Sequence, residues 1–289
     1  MLSSRPAWLE LARPGNVLVG GITCALGGYI AGITELQIIS LSVTVISVMS
    51  FIAAGNMVND IVDRNIDSEA HPYRPIPSGR ISIERAKMLA TSCWLISLLG
   101  MVASTVLIKD DVSEWWGVPL IWGIAAALMV TYDLGPRIKE RGLSGNISIS
   151  MLVGAVIIFG AASVGGIGKI LVWLVAATAF FVNLGREIVK DCEDMESDEG
   201  RKTFPMEVGS ENARMVAYLL ALAGLICAAI PYYLSLLPIQ WLLFQTPAII
   251  LIMTTNRALA AGEDEKAQKA LRKGLLLGLL GFAASVALP

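Results

Sequence analysis

The chain has a single histidine in 289 residues, and only 16% of its residues are charged. One imidazole cannot build a zinc site of the usual kind. The four cysteines, Cys24, Cys93, Cys192 and Cys227, show no CxxC or other metal spacing. Three lie in apolar runs and read as small packing hydrophobes, and the same reading holds for Cys192 inside an acidic stretch. No basic stripe argues for nucleic acid, and a net charge of −2 gives that class no support. The opening MLSSRPAWLELARPGN lacks a secretory-signal pattern, and the first apolar run behind it is long enough to be expected to span a membrane.

What is abundant is apolar surface. Hydrophobic residues make up 55% of the chain and the mean hydropathy is +0.66, well beyond the norm for a soluble domain. Several stretches exceed 18 residues with almost no charge. Nine candidate spans follow, at roughly 16–33, 37–59, 84–108, 115–132, 146–167, 169–190, 211–235, 239–258 and 268–288. The expected fold is therefore all-α, an integral membrane bundle of nine helices forming one domain over 1–289. Trp8, Trp115, Trp116, Trp173 and Trp241 stand near span ends and read as interfacial anchors. With the N-terminus placed in the cytoplasm, 20 of the 22 Lys and Arg residues fall on the cytoplasmic side, leaving only Lys109 and Lys169 outside. That bias sets the expected orientation, with an external C-terminus.

The scarce charge is concentrated, and one pattern occurs twice. NDIVDRNID at 59–67 places Asp60, Asp63 and Asp67 at i, i+3 and i+7, and KDCEDMESD at 190–198 places Asp191, Asp194 and Asp198 at the same spacing. On a helix that spacing puts each trio on one face. Unpaired anions at the ends of apolar helices cost several kcal/mol each, so they need cations or a metal. Hard oxygen ligands suit Mg²⁺, which is held by one or two carboxylates plus substrate phosphates. Asn59 and Glu187 lie close enough in sequence to join the ligands, and Asn56 precedes the first trio by one turn. The trios align at an offset of 131, and PIPSG at 75–79 echoes PMEVG at 205–209 at an offset of 130, which suggests a pseudo-repeat.

Basic residues flank both trios. Arg74 and Arg80 follow the first, and Arg201 and Lys202 follow the second. Guanidinium groups bind phosphate oxygens in pairs, so these read as a phosphate clamp. A third polar segment, TYDLGPRIKERGLSGN at 131–146, offers Tyr132, Arg137 and Lys139 to an anionic substrate. LELARPGN at 9–16 puts Arg13 and Asn16 at the mouth of the first span. Phe51, Phe159, Phe180 and Phe181 read as helix packing.

NDxxDxxxD at 59–67, RPIPSGRIS at 74–82 and the second DxxDxxxD at 191–198 together resemble the UbiA superfamily of intramembrane prenyltransferases. The resemblance runs from LARPGN through all the spans. REIVKDCEDMESDEGRKTFP and KERGLSGN look most like its archaeal branch that makes ether membrane lipids. RPIPSG also occurs in chlorophyll-type members. One departure concerns the central loop, where the family often has a Tyr with a Lys four residues on. Here Pro136 fills that place, and the nearest cations are Arg137 and Lys139.

The resemblance implies a helical bundle around a central cavity, with Mg²⁺ at the two acidic trios. It implies a prenyl diphosphate donor and a phosphorylated lipid acceptor, here geranylgeranyl diphosphate and geranylgeranylglyceryl phosphate. An aromatic or chlorophyll-type acceptor is the alternative within the superfamily. A membrane transporter is the alternative outside it, since internal repeats and intramembrane charge occur there too. Nothing in the sequence specifies an oligomeric state.

Overall fold

The computed structural model describes residues 6–195 and 202–288. Lipid offers the backbone no hydrogen-bond partners, so each apolar run satisfies its own N–H and C=O groups by coiling. The helices are α1 (Ala7–Ala12), α2 (Pro14–Ile30), α3 (Ile38–Val62), α4 (Arg64–Ala70), α5 (Ile83–Ile108) and α6 (Gly117–Asp133). They continue as α7 (Leu143–Ala162), α8 (Ile170–Glu193), α9 (Phe204–Val208), α10 (Ser210–Tyr233), α11 (Thr246–Ala260) and α12 (Asp264–Ala287). Short 3-10 turns cover Glu35–Gln37, Ile138–Glu140 and Ile239–Gln245.

Among the described residues, 7 helical stretches are long and apolar enough to cross a membrane, which makes this a multi-pass membrane protein. Nine spans were expected, and each coincides with a helix. Helix α11, with 15 residues, reaches span length together with the 3-10 turn Ile239–Gln245 before it, but two of those helices, α2 and α6, have only 17 residues each. At 1.5 Å per residue such a helix reaches about 26 Å, short of a hydrocarbon core of roughly 30 Å. Both begin or end at polar turns that cut the apolar run short.

Between membrane helices there is no hydrophobic driving force beyond that from lipid, so small residues and close packing decide the contacts. A Cβ added at Gly27 of α2 would collide with the Ile157 carbonyl of α7, and one at Gly160 of α7 with the Cys24 carbonyl of α2. The two backbones touch where those glycines lie. α3, α2, α7 and α8 pack on one another in that order, while α5 lines α3 and α10 lines α8. Three apolar clusters fill the interior, around Ile157 and Val172, around Ile188 and Leu271, and around Leu11 and Met57. Leu18, Ile46, Leu99, Ile226 and Leu280 face outward, as a lipid-facing surface requires. Cys24 and Cys192 are buried and all four cysteines are free thiols, in keeping with a packing role.

Candidate active site

The first acidic trio sits where α3 stops. Asp63 leaves the helical region at ψ 6°, and α4 restarts at Arg64. The i→i−4 pattern survives the kink, because the Asp63 N–H donates to the Asn59 carbonyl at 2.9 Å and the Asp67 N–H to the Asp63 carbonyl at 2.8 Å. A bent helix therefore does what a straight one was expected to do, and Asp60, Asp63 and Asp67 are all buried. α8 ends in the same manner. Asp194 caps it, its N–H donating to the Lys190 carbonyl at 2.9 Å.

Both positions are electrostatically unfavourable for an acid. The C-terminus of a helix carries partial negative charge, so a carboxylate there is destabilised unless a cation is brought to it. The fold brings four to the first trio. Arg13 donates to Asp60 at 2.5 Å. Arg74 donates to Asp67 at 2.6 Å and lies 3.9 Å from Asp60. Lys139 donates to Asp63 at 2.8 Å, and Arg137 approaches the same oxygen at 3.5 Å.

Two of these cations come from strained backbone. Arg13, between α1 and α2, has φ 53°, and Arg137, before the 3-10 turn, has φ 50°. A left-handed conformation costs a non-glycine residue roughly 1–2 kcal/mol. Asn56 helps fix the first of these turns by donating to the Ala12 carbonyl at 2.9 Å. Asn16 is exposed on the first turn of α2, and Tyr132 is half-buried at the end of α6.

The second trio is held differently. Asn146, at the start of α7, donates to Asp191 at 2.8 Å. Glu187 pairs with its neighbour Arg186. Asp194 is half-buried, while Asp198 and Arg201 lie outside the described residues. Lys202 is exposed and forms a backbone bridge with Arg141, which ties the α6–α7 loop to the segment after α8.

Arg80 departs from its expected place. It is not among the cations paired with the first trio; it grips both oxygens of Glu10 at 2.9 and 3.0 Å, together with Ser78 and the Tyr73 carbonyl. The hydrogen bonds it donates to Glu10 raise its pKa and keep it charged. Those bonds clamp α1 to the loop and engage most of the guanidinium's donors. Lys139 also differs. Expected to meet an acceptor, it has a side chain only 3% exposed, held between Asp63 and Asp133.

Asp133 and Asn146 were not among the expected ligands. Asp133 is a lone acid on the last turn of an apolar span, the same signal that marked the trios, but without a repeat to draw attention. Asn146 is a turn residue by composition, and only the packing of α7 on α8 turns it toward Asp191.

Residues 21–280 match the model of the UbiA prenyltransferase family. The chain belongs to that family. A digeranylgeranylglyceryl phosphate synthase from Methanopyrus kandleri is 36% identical, over 97% of this chain and 99% of its own length. One from Methanobrevibacter smithii is 32% identical over 96% of each chain. A solved structure of a digeranylgeranylglyceryl phosphate synthase in membranes superposes with a TM-score of 0.76 at 27% identity, covering 97% of both chains. A UbiA homolog from Aeropyrum pernix shares the fold at a TM-score of 0.73 with 16% identity, over 92% of this chain and 96% of its own.

The family implies a divalent cation. Among the described residues no three acids converge into a ready metal cage, because each carboxylate of the first trio leans on a cation instead. The donors themselves fit. They are all hard oxygen atoms, from Asp60, Asp63, Asp67 and the Asn59 amide. Arg74 lies within 3.9 Å of both Asp60 and Asp67, so one charge-neutralising group already spans two of them.

Proposed function

We propose that this UbiA-family prenyltransferase moves a geranylgeranyl group from geranylgeranyl diphosphate to the hydroxyl of geranylgeranylglyceryl phosphate, a step in making archaeal ether lipids. The observation that carries the reading is the first trio, three buried carboxylates at a helix end, each paired with a cation. The full-length similarity to synthases of that name supports the choice of substrates. In this reading all nine expected spans cross the bilayer, α2 and α6 by local thinning or by polar ends at the interface. The chain is then one domain over 1–289, with both trios facing the cytoplasm, the N-terminus on that side and the C-terminus outside. The two halves are related: PGN at 14–16 and SGN at 144–146 open α2 and α7 at an offset of 130, beside the offset of 131 for the trios.

Asp60, Asp63, Asp67 and Asn59 would hold Mg²⁺ at one trio, and Glu187, Asp191, Asp194 and Asp198 at the other. Bound there, Mg²⁺ supplies Lewis-acid neutralisation of the leaving diphosphate. The protein's own groups do the rest. Arg74, at 30% side-chain exposure, turns from Asp67 to a donor phosphate oxygen. Arg13 and Arg137, at 37% and 38%, are the cations open enough to meet the acceptor phosphate. Arg201 and Lys202 lie in sequence beside the second trio and extend the donor side. The donor's C1–O bond breaks, the acceptor oxygen bonds to C1, and diphosphate and a proton leave. The apolar helices keep water from the allylic carbon meanwhile.

Membranes containing the protein, given labelled geranylgeranyl diphosphate and a panel of acceptors, test the assignment. Label is expected in the ether of geranylgeranylglyceryl phosphate. Efficient transfer to 4-hydroxybenzoate with none to the lipid acceptor would overturn the acceptor and keep the reaction class.

A further inference from the structure

We propose that Asp133 is the positioning residue of this site, the fixed anchor from which Lys139 is handed from Asp63 to the donor diphosphate. The inference rests on the prenyltransferase reading above. Asp133 ends α6, is 2% exposed, and belongs to neither acidic trio. One of its oxygens accepts from two groups, Lys139 Nζ at 3.0 Å and Asn59 Nδ2 at 3.0 Å. Each of those groups also reaches Asp63, Lys139 at 2.8 Å and Asn59 at 3.2 Å. Two carboxylates thus share one ammonium and one amide in a buried square.

The two acids are not equivalent. Asp63 stands in the trio whose carboxylates are to bind a divalent cation, and a metal there competes with Lys139 for the same oxygen. An ammonium has three N–H donors and a flexible stem. Released by Asp63, it would swing freely unless something inside the protein kept one N–H. Asp133 does that, and through Asn59 it also fixes the amide at the head of the trio. Lys139 lies past the end of α6, on the short 3-10 turn Ile138–Glu140, so α6 alone does not register it on the site and the contact with Asp133 does.

The test is a double-mutant cycle on Asp133→Asn and Lys139→Gln, read as the affinity of the purified protein for inorganic diphosphate with Mg²⁺ by calorimetry. Each single variant is expected to bind on the order of 10- to 100-fold more weakly, the loss of one charged hydrogen bond. The double variant is expected to bind no more weakly than Lys139→Gln alone, since Asp133 acts through the lysine. Multiplying losses, or unchanged binding by Asp133→Asn, would overturn the proposal. Removing one partner of a buried pair can prevent folding, so Asp133→Glu is measured as well. It keeps the charge but displaces the carboxylate by one methylene, and a severalfold loss is expected; wild-type affinity would overturn the anchor role. If the wild type itself fails to bind diphosphate, the prenyltransferase reading fails first, and the inference with it.

Discussion

Asp63 and Asp194 occupy the same place on two helices, the residue that stops α3 and the residue that stops α8. Neither is needed to hold its helix together, since both cap through backbone N–H groups. With Asp63 truncated, Lys139 keeps Asp133 and Arg137 keeps Glu140, so Asp63→Ala, like Asp194→Ala, is expected to leave the protein folded in the membrane while abolishing transfer. Activity assays with and without excess EDTA check the metal side of the same claim, and full turnover in EDTA would refute it. The cations divide by exposure. Arg137→Ala is expected to raise the acceptor KM about 10- to 100-fold with little change for the donor, and Arg74→Ala to do the reverse; a two-substrate kinetic matrix measures both. The acids were legible in the sequence because they repeat at helical spacing. The pairing of each acid with its cation was not. Lys139 and Asp63 are 76 residues apart, and nothing local distinguishes a lysine that will be buried against two acids from one that sets topology. Asp133 escaped for the same reason.

At the scale of elements, the sequence placed the long helices to within a few residues, apart from the span expected at 239–258, which opens on a 3-10 turn before α11, because apolar runs ended by charge have one stable answer in lipid. It did not show that two of them would close at 17 residues each, nor that α3 would kink at Asp63 rather than run on through the trio. Arg80 illustrates the limit. Its spacing from the trio suggests a phosphate ligand, but a clamp on Glu10 depends on where α1 docks. That docking sets Arg13, so α1 acts on the site without contributing to the trio. The α2–α7 crossing is the other structural dependency. Gly160→Ala places a methyl group against the Cys24 carbonyl and forces the two helices apart. A loss of roughly 1–3 kcal/mol is expected, seen as a lower melting temperature in detergent, whereas Gly123→Ala, with open space around it, should melt like the wild type.

For the whole molecule, orientation decides which solution the site meets. With every cysteine replaced and single reporters introduced as Ser68→Cys or Ser113→Cys, an impermeant thiol reagent on intact cells is expected to label position 113 and spare 68. Both positions are exposed on the surface of the protein, so access to the reagent is set by the side of the membrane alone. Preferential labelling at 68 would invert the topology. The central claim is the reaction itself, an attack by the acceptor oxygen with cleavage of the donor's C1–O bond. The most direct measurement uses purified protein, Mg²⁺, geranylgeranyl diphosphate and geranylgeranylglyceryl phosphate carrying ¹⁸O in its free hydroxyl. Mass spectrometry of the products is expected to find the ¹⁸O in the ether and none in the released diphosphate. An unlabelled ether, label in diphosphate, or no ether at all would contradict the account.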